Sequence, residues 1–191
     1  MLLKRGFEMS KLYAGTILTV DLTRRETFKE PTSTYAKDFL GGRGINIKLL
    51  YDRILQGVDP MASGNILIFG VGPLGGTAIS TGRTEVTAKS PVTGYLGSAS
   101  FGGFFASELK FAGYDHVVII GKAASPVYIW IYDDQVEIRN AASLWGKDTY
   151  QAPDMIRDEV ENPEANVACI GPAGENLVSF ATIQHELGHG A

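Results

Sequence analysis

Between residues 75 and 107 only three side chains are charged, Arg83, Glu85 and Lys89. Charged groups are the ones a fold keeps at its surface, so a stretch this long is expected to be covered, by the chain's own core or by something outside it. It is also built from small residues. Residues 94–107 hold four Gly, three Ser and two Ala. Such residues let a rigid ligand or another backbone come close to the main chain, and they leave N–H groups uncovered to meet anions, most strongly where a helix begins near Gly103. Arg83 follows Gly82 in this stretch, and a lone guanidinium there would make a charge-assisted contact to phosphate. The same residues also read as a tightly packed sheet–helix junction with Arg83 at the surface.

Composition narrows the classes. Glycine accounts for 23 of 191 residues, with no period and no low-complexity block, so it serves turns and close approaches. The net charge of −4 argues against a nucleic-acid binder. It is unevenly spread: residues 1–60 carry ten Lys/Arg against seven Asp/Glu, and residues 61–191 carry seven against fourteen. No run of 18 apolar residues is present to cross a membrane. Residues 1–11 lack the apolar segment of a signal peptide and are expected to be an extension, with the cytoplasm as the location. Cys169 is the single cysteine, which excludes an internal disulfide, a CxxC zinc site and an iron–sulfur cluster held by this chain alone.

Periodicity and turn residues predict strands at 13–22, 26–29, 65–69, 84–88, 95–99, 117–120, 166–170 and 177–183. Residues 127–132 and 136–139, joined by Asp133-Asp134, read as a hairpin. Helices are expected at 35–40, 45–54, 102–112 and 148–161. Laid out so, the chain repeats. Hairpin and helices lead to Asn65-Ile-Leu-Ile-Phe-Gly-Val-Gly-Pro-Leu-Gly75, and a second hairpin and helix lead to Asn166-Val-Ala-Cys-Ile-Gly-Pro-Ala-Gly174. The expectation is one α+β domain over 12–191, a β-rich internal duplication of two sheet halves at about 12–100 and 101–191.

Two motifs mislead. Gly70-Val-Gly72-Pro-Leu-Gly75 matches the dinucleotide-binding G-x-G-x-x-G, but the residues after it are poor helix formers and no acidic residue lies about 20 positions on. It reads as a glycine-rich loop. His185-Glu186-Leu187-Gly188-His189 matches the zinc-peptidase H-E-x-x-H, whose two His must share one helical face. Gly188 and Gly190 oppose a helix there, and the match reads as chance.

Longer runs carry a resemblance. Gly72-Pro-Leu-Gly-Gly-Thr77, Thr81-Gly-Arg83, Lys89-Ser-Pro-x-Thr-Gly94, Gly102-Gly-Phe-Phe-Ala and Glu108-Leu-Lys-Phe-Ala-Gly-Tyr-Asp115 occur in this order. So do Pro126-Val-Tyr, Val136-Glu-Ile-Arg, Leu144-Trp-Gly-Lys147 and Ile170-Gly-Pro-Ala-Gly-Glu-Asn176. Together, from Ala14 onward, they resemble the N-terminal domain of the aldehyde ferredoxin oxidoreductases. The resemblance implies a β-rich duplicated base on which a tungsten, or sometimes molybdenum, bis-pterin cofactor sits. It implies that Arg83 contacts the pterin and that the main-chain carbonyl of Ser100, where the family often has Asn, helps bind the Mg²⁺ between the pterin phosphates. It also implies that the backbone at Gly102, with Gly103 beside it, meets the cofactor, and that Ala191 supplies a second Mg²⁺ carbonyl. At the end the pattern departs: Gly190-Ala191 stand where some members have Arg-Ala.

The resemblance further implies a complete enzyme that oxidises a small aldehyde to a carboxylic acid and passes electrons through a [4Fe–4S] cluster to ferredoxin. The cluster's cysteines and the catalytic acids would belong to later domains, which with ferredoxin are the implied partners. No residue of this chain reads as a catalytic acid or base. The isolated chain is expected to be inactive, and a homo-oligomer is compatible with it. The alternative is a stand-alone scaffold or interaction domain without a catalytic partner.

Overall fold

A computed structural model describes residues 12–79 and 82–191. The extension expected at 1–11 lies outside them. The first strands, β1 (Thr16–Asp21) and β2 (Glu26–Pro31), form an antiparallel hairpin. A short helix α1 (Ser33–Ala36) and the longer α2 (Arg43–Arg53) follow. Strands β3 (Leu67–Val71), β4 (Thr84–Lys89) and β5 (Leu96–Phe101) make an antiparallel meander. Helix α3 (Phe105–Phe111) then leads into β6 (Tyr114–Ile120).

Strand β6 enters between β1 and β3, parallel to the first and antiparallel to the second. This gives one six-stranded sheet in the order β2-β1-β6-β3-β4-β5. Its central strands read as continuous apolar runs because both faces are covered. Leu18, Val20, Phe69, Val71, Val86, Phe101 and Val117 point to one side, under α3. Ile17, Ile68 and Val118 point to the other, under Ile45, Leu49 and Leu50 of α2.

The rest of the chain lies on the α3 side. The hairpin of β7 (Val127–Tyr132) and β8 (Gln135–Asn140) sets Ile129, Ile131, Val136 and Ile138 against that core. Helix α4 (Gln151–Glu159) builds a small third cluster with Leu144 and Val167. Strand β9 (Ala168–Cys169), the turn α5 (Pro172–Glu175), β10 (Gln184–His185) and β11 (His189–Gly190) finish the chain, in the strand order β11-β10-β9.

Most expected strands form, and the fold is α+β. The strand expected at 177–183 does not: turns and irregular backbone occupy that segment, and only its last residue, Ile183, is paired, with Ala191, ahead of β10. The helix expected from Gly102 begins three residues later, because Gly103 has φ +89°. Strand β6 belongs by sequence to the second half and yet completes the sheet built by the first.

The start of β6 carries the most buried charge in the fold. Asp115 is fully buried. It accepts hydrogen bonds from the Ala14 and Gly15 amides (2.9 and 2.7 Å), the Thr32 hydroxyl (2.7 Å) and the Lys110 ammonium (2.7 Å). Burial alone would raise its pKa, but Lys110, Thr32 and Gly15 outweigh it and hold the carboxyl below the usual range. Asp115→Ala would leave the Lys110 ammonium buried without its counter-charge, at a cost of about 3–5 kcal/mol. Denaturant unfolding should show that loss; a variant of near wild-type stability would mean that the pair carries no net weight.

Next along β6, His116 is also buried, and its Nδ1 lies 2.7 Å from Asn46 Oδ1. Burial pushes the imidazole down to about 4 from 6.5. Its contribution to stability is therefore complete above pH 6.5 and is lost as pH falls toward 4, a loss of about 3 kcal/mol. His116→Gln should flatten the pH dependence of the unfolding midpoint in this window; an unchanged slope would assign the acid sensitivity elsewhere.

Candidate cofactor-binding surface

Strands β4 and β5 pair Thr84 with Phe101 and Glu85 with Ser100. Phe101 is buried in the core and anchors the end of β5. Arg83, just before β4, is exposed, and its Nη1 donates to Ser100 Oγ at 3.3 Å. Beyond Phe101 the glycine pair turns back over the start of β4. A Cβ added to Gly82 would lie 2.9 Å from the Gly103 carbonyl oxygen, so the two backbones pack directly on each other. Arg83, Ser100, Gly102 and Gly103 thus lie together on one surface.

The last strands close one side of it. A Cβ at Gly103 would sit 2.7 Å from both His185 Nε2 and Glu186 Oε2. His185 is buried, with Nδ1 2.9 Å from the Val167 carbonyl and its ring packed on Phe101 and Phe105. Glu186 Oε1 accepts the Phe104 N–H at 3.3 Å. His189 stacks over Gly102, about 3.8 Å from where a Cβ would be. Ala191 is brought in through this strand pair: its N–H donates to the Ile183 carbonyl (2.9 Å), and its own carbonyl accepts from Ile183 N–H (2.7 Å). That carbonyl keeps one lone pair.

The H-E-x-x-H segment forms no helix; it runs from β10 through a 3₁₀ turn into β11. Among the described residues no group of three or more His, Cys, Asp and Glu is arranged to hold a metal ion. The G-x-G-x-x-G run ends β3 and enters turns.

Sequence reasoning missed Arg43 and Glu85. Arg43 opens α2 and grips Glu85 on β4, with Nε to Oε1 at 2.9 Å and Nη2 to Oε2 at 3.4 Å. The Ser98 hydroxyl donates to the same Oε1. Both residues line a cleft of about 440 Å³ that also takes in Arg83, Ser100 and Gly72. Gly41-Gly42-Arg43-Gly44 was the available signal, an Arg set among glycines just as Gly82-Arg83 is. The uncharged stretch is not fully covered by its own fold: Ile79, Tyr95 and Phe104 within it are 60%, 79% and 67% exposed.

A family model described as aldehyde ferredoxin oxidoreductase, N-terminal domain, matches residues 17–191. The chain belongs to that family. A tungsten-containing aldehyde ferredoxin oxidoreductase of Pyrococcus abyssi is 46% identical over 184 residues, covering 94% of this chain and 30% of the relative. An aliphatic sulfonate oxidoreductase, WOR-like subunit, of Pyrococcus furiosus is 35% identical over 94% of this chain and 31% of its own length. Among solved structures, the active site complex BamBC of benzoyl coenzyme A reductase, in complex with 1,5-dienoyl-CoA, superimposes with a TM-score of 0.88. It is 41% identical and covers 91% of this chain and 27% of that one. The chain therefore spans about 30% of the length of the curated oxidoreductases it matches and corresponds to their N-terminal domain.

The residues on this surface fit a phosphate-bearing pterin: an exposed guanidinium, a hydroxyl, and glycine backbone with no side chain in the way. The glycine loop is the part that the surrounding fold constrains most. Gly103→Ala would put a Cβ into Glu186 and His185 at a left-handed φ, costing about 1–3 kcal/mol. Thermal unfolding of the variant reads this; wild-type stability would show that β10 and β11 yield without strain.

Proposed function

We propose that this chain is the cofactor-seating domain of an aldehyde ferredoxin oxidoreductase-like enzyme. The observation that carries the reading is the convergence of Arg83, Ser100, Gly102 and Gly103 on one open surface in a chain of this family. Arg83 holds the pterin side of a tungsten, or molybdenum, bis-pterin. The main-chain carbonyls of Ser100 and Ala191 help ligate the Mg²⁺ between its phosphates. The Gly102–Gly103 backbone is the bed. The metal centre supplies the redox chemistry: an aldehyde and water become a carboxylic acid, two protons and two electrons.

Those electrons pass through a [4Fe–4S] cluster, held by the downstream domains, to ferredoxin. We assign this chain the task of binding and orientation, and the acids and bases of the reaction to the downstream domains. The exposed apolar side chains of the weakly charged stretch are contact points for those domains. The complete protein works in the cytoplasm. The reading of the chain as two repeats, 12–100 and 101–191, belongs to the same proposal.

In the complete protein, Arg83→Ala removes a charge-assisted hydrogen bond worth about 1.5–3 kcal/mol. Tungsten or molybdenum and pterin per chain should fall after dialysis, while thermal unfolding stays close to wild type. Unchanged metal and pterin content would return Arg83 to the plain surface.

A further inference from the structure

Strands β7 to β11 repeat the pairings of the first sheet with one strand missing. Strands β7 and β8 pair antiparallel as β1 and β2 do, and β9, β10 and β11 pair in turn as β3, β4 and β5 do. In the first sheet β6 joins the two groups by running between β1 and β3. Among the described residues nothing joins β7 to β9, and the second set remains in two pieces. The pieces nevertheless share both of their faces. Ile129, Ile131 and Ala168 pack on the core that α3 covers, and Tyr128 and Cys169 pack with Leu144 and Ile156 on the α4 side.

The edges between the pieces are unsatisfied. The two-residue turn Asp133-Asp134 makes Tyr132 and Gln135 a hydrogen-bonded pair, and such pairs alternate along a hairpin. Tyr128 and Trp130 therefore bond across to β8, while the N–H and C=O groups of Ile129 and Ile131 point away from it. Among the described residues these groups have no hydrogen-bond partner outside the hairpin. On β8 the outward carbonyl of Ile138 accepts from Arg25. Burial follows the same division: β1 is buried from Ile17 to Asp21 and β3 from Ile68 to Val71, but no residue of β7 or β9 is buried. A half-covered edge with unpaired peptide groups is a template for another strand.

We propose that the space between β7 and β9 accepts a strand from the part of the complete protein that follows residue 191, parallel to β7 and antiparallel to β9 as β6 is to β1 and β3. The curated relatives, of which this chain spans about 30%, have the length to supply it. The register gives its position. With Asn65 and Asn166 aligned, Cys169 stands for Ile68 and its partner Gln184 for Thr87; one step on, Ile183 faces Ala191 as Val86 faces Ala99. Strand β6 begins 15 residues after Ala99, and the same interval from Ala191 places the accepted strand at roughly residues 206–212. With the core on one face and α4 on the other, the occupant is an uncharged run rich in Val and Ile, like Val117-Val118-Ile119-Ile120. The inference rests on the duplication reading and moves its boundary: the first unit closes with β6, and the second opens with β7 and runs past Ala191.

The test is hydrogen exchange of the complete protein, read by mass spectrometry with fragmentation that resolves single amides. Ile129 and Ile131 should exchange as slowly as 16–21 of β1, at least a hundredfold below the unprotected rate. Proline at the centre of the accepted run should speed both amides tenfold or more and leave 16–21 unchanged. Where that variant does not fold, alanine at the same position should speed both amides more than 16–21, and an equal change in the two overturns the proposal. Unprotected Ile129 and Ile131 in the unsubstituted protein also overturn it. So does protection that falls on dilution, which assigns the partner strand to a second copy, and so does a charged run at the counted position. Protection that survives the proline in a folded variant assigns the partner to another segment; it overturns this inference and leaves the repeated pairings of β7 to β11 standing. None of these readouts involves metal or pterin, so the cofactor-seating reading stands or falls separately.

Discussion

The fold depends on one buried carboxylate. Asp115 gathers the backbone that leads into β1, the hydroxyl at the end of β2 and the ammonium of α3 at the first turn of β6. Lys110 in turn donates to the Leu12 carbonyl at 2.7 Å. Four chain segments that apolar packing alone would leave free to slide are thereby fixed in register. Strand β6 can then sit between β1 and β3, and the two faces of the sheet acquire their separate cores.

A second polar group carries that order toward the site. Asn46 of α2 donates to the Ile68 and Glu85 carbonyls and to the Thr87 hydroxyl, while its oxygen meets His116. Gly70 is the residue that makes room for this pair. With α2 pinned to β3 and β4, Arg43 one turn earlier arrives opposite Glu85. On the other face, His185 ties β10 to Val167 and to the aromatic cluster of Phe101 and Phe105, which holds Glu186 against the Gly103 loop. The backbone at Gly102 and Gly103 is thus set by residues on the elements behind it. Relatives named for aldehydes and for aliphatic sulfonates match this chain at 46% and 35% identity.

Local pattern made much of this legible. The alternation on either side of Asp133-Asp134 marks the hairpin of β7 and β8 in full. The start of β6 was not readable: Asp115 and His116 look like loop residues, and what makes them tolerable in a core is Lys110 five positions back together with partners 70 to 101 positions away. The segment 177–183 alternates like a strand, but among the described residues only its last, Ile183, finds a strand partner, Ala191. Composition picked out residues 94–107 and Arg83, yet it left their role open between a ligand bed and a tight junction, and the family resemblance favoured the first. Arg43 escaped because its glycine-flanked run reads first as a helix break, and because its partner Glu85 lies 42 residues on. The H-E-x-x-H run was rightly denied a helix, but nothing in the sequence showed that it would press on Gly103.

The placement of β6 bears on how the chain is made. Strand β1 pairs on its inner side only with residues 114 to 120, about a hundred positions later. At ribosomal speeds of about 5–20 residues per second, that interval is roughly 5–20 s. Until β6 is available the inner edge of β1 has no partner strand, the geometry that invites pairing with another chain. The hairpin's outer strand is defended by Glu26, Lys29 and Glu30, but its inner edge has no such guard. The nascent domain therefore passes through a window in which a chaperone that shields extended apolar strands would raise its yield, and the window closes when β6 leaves the exit tunnel.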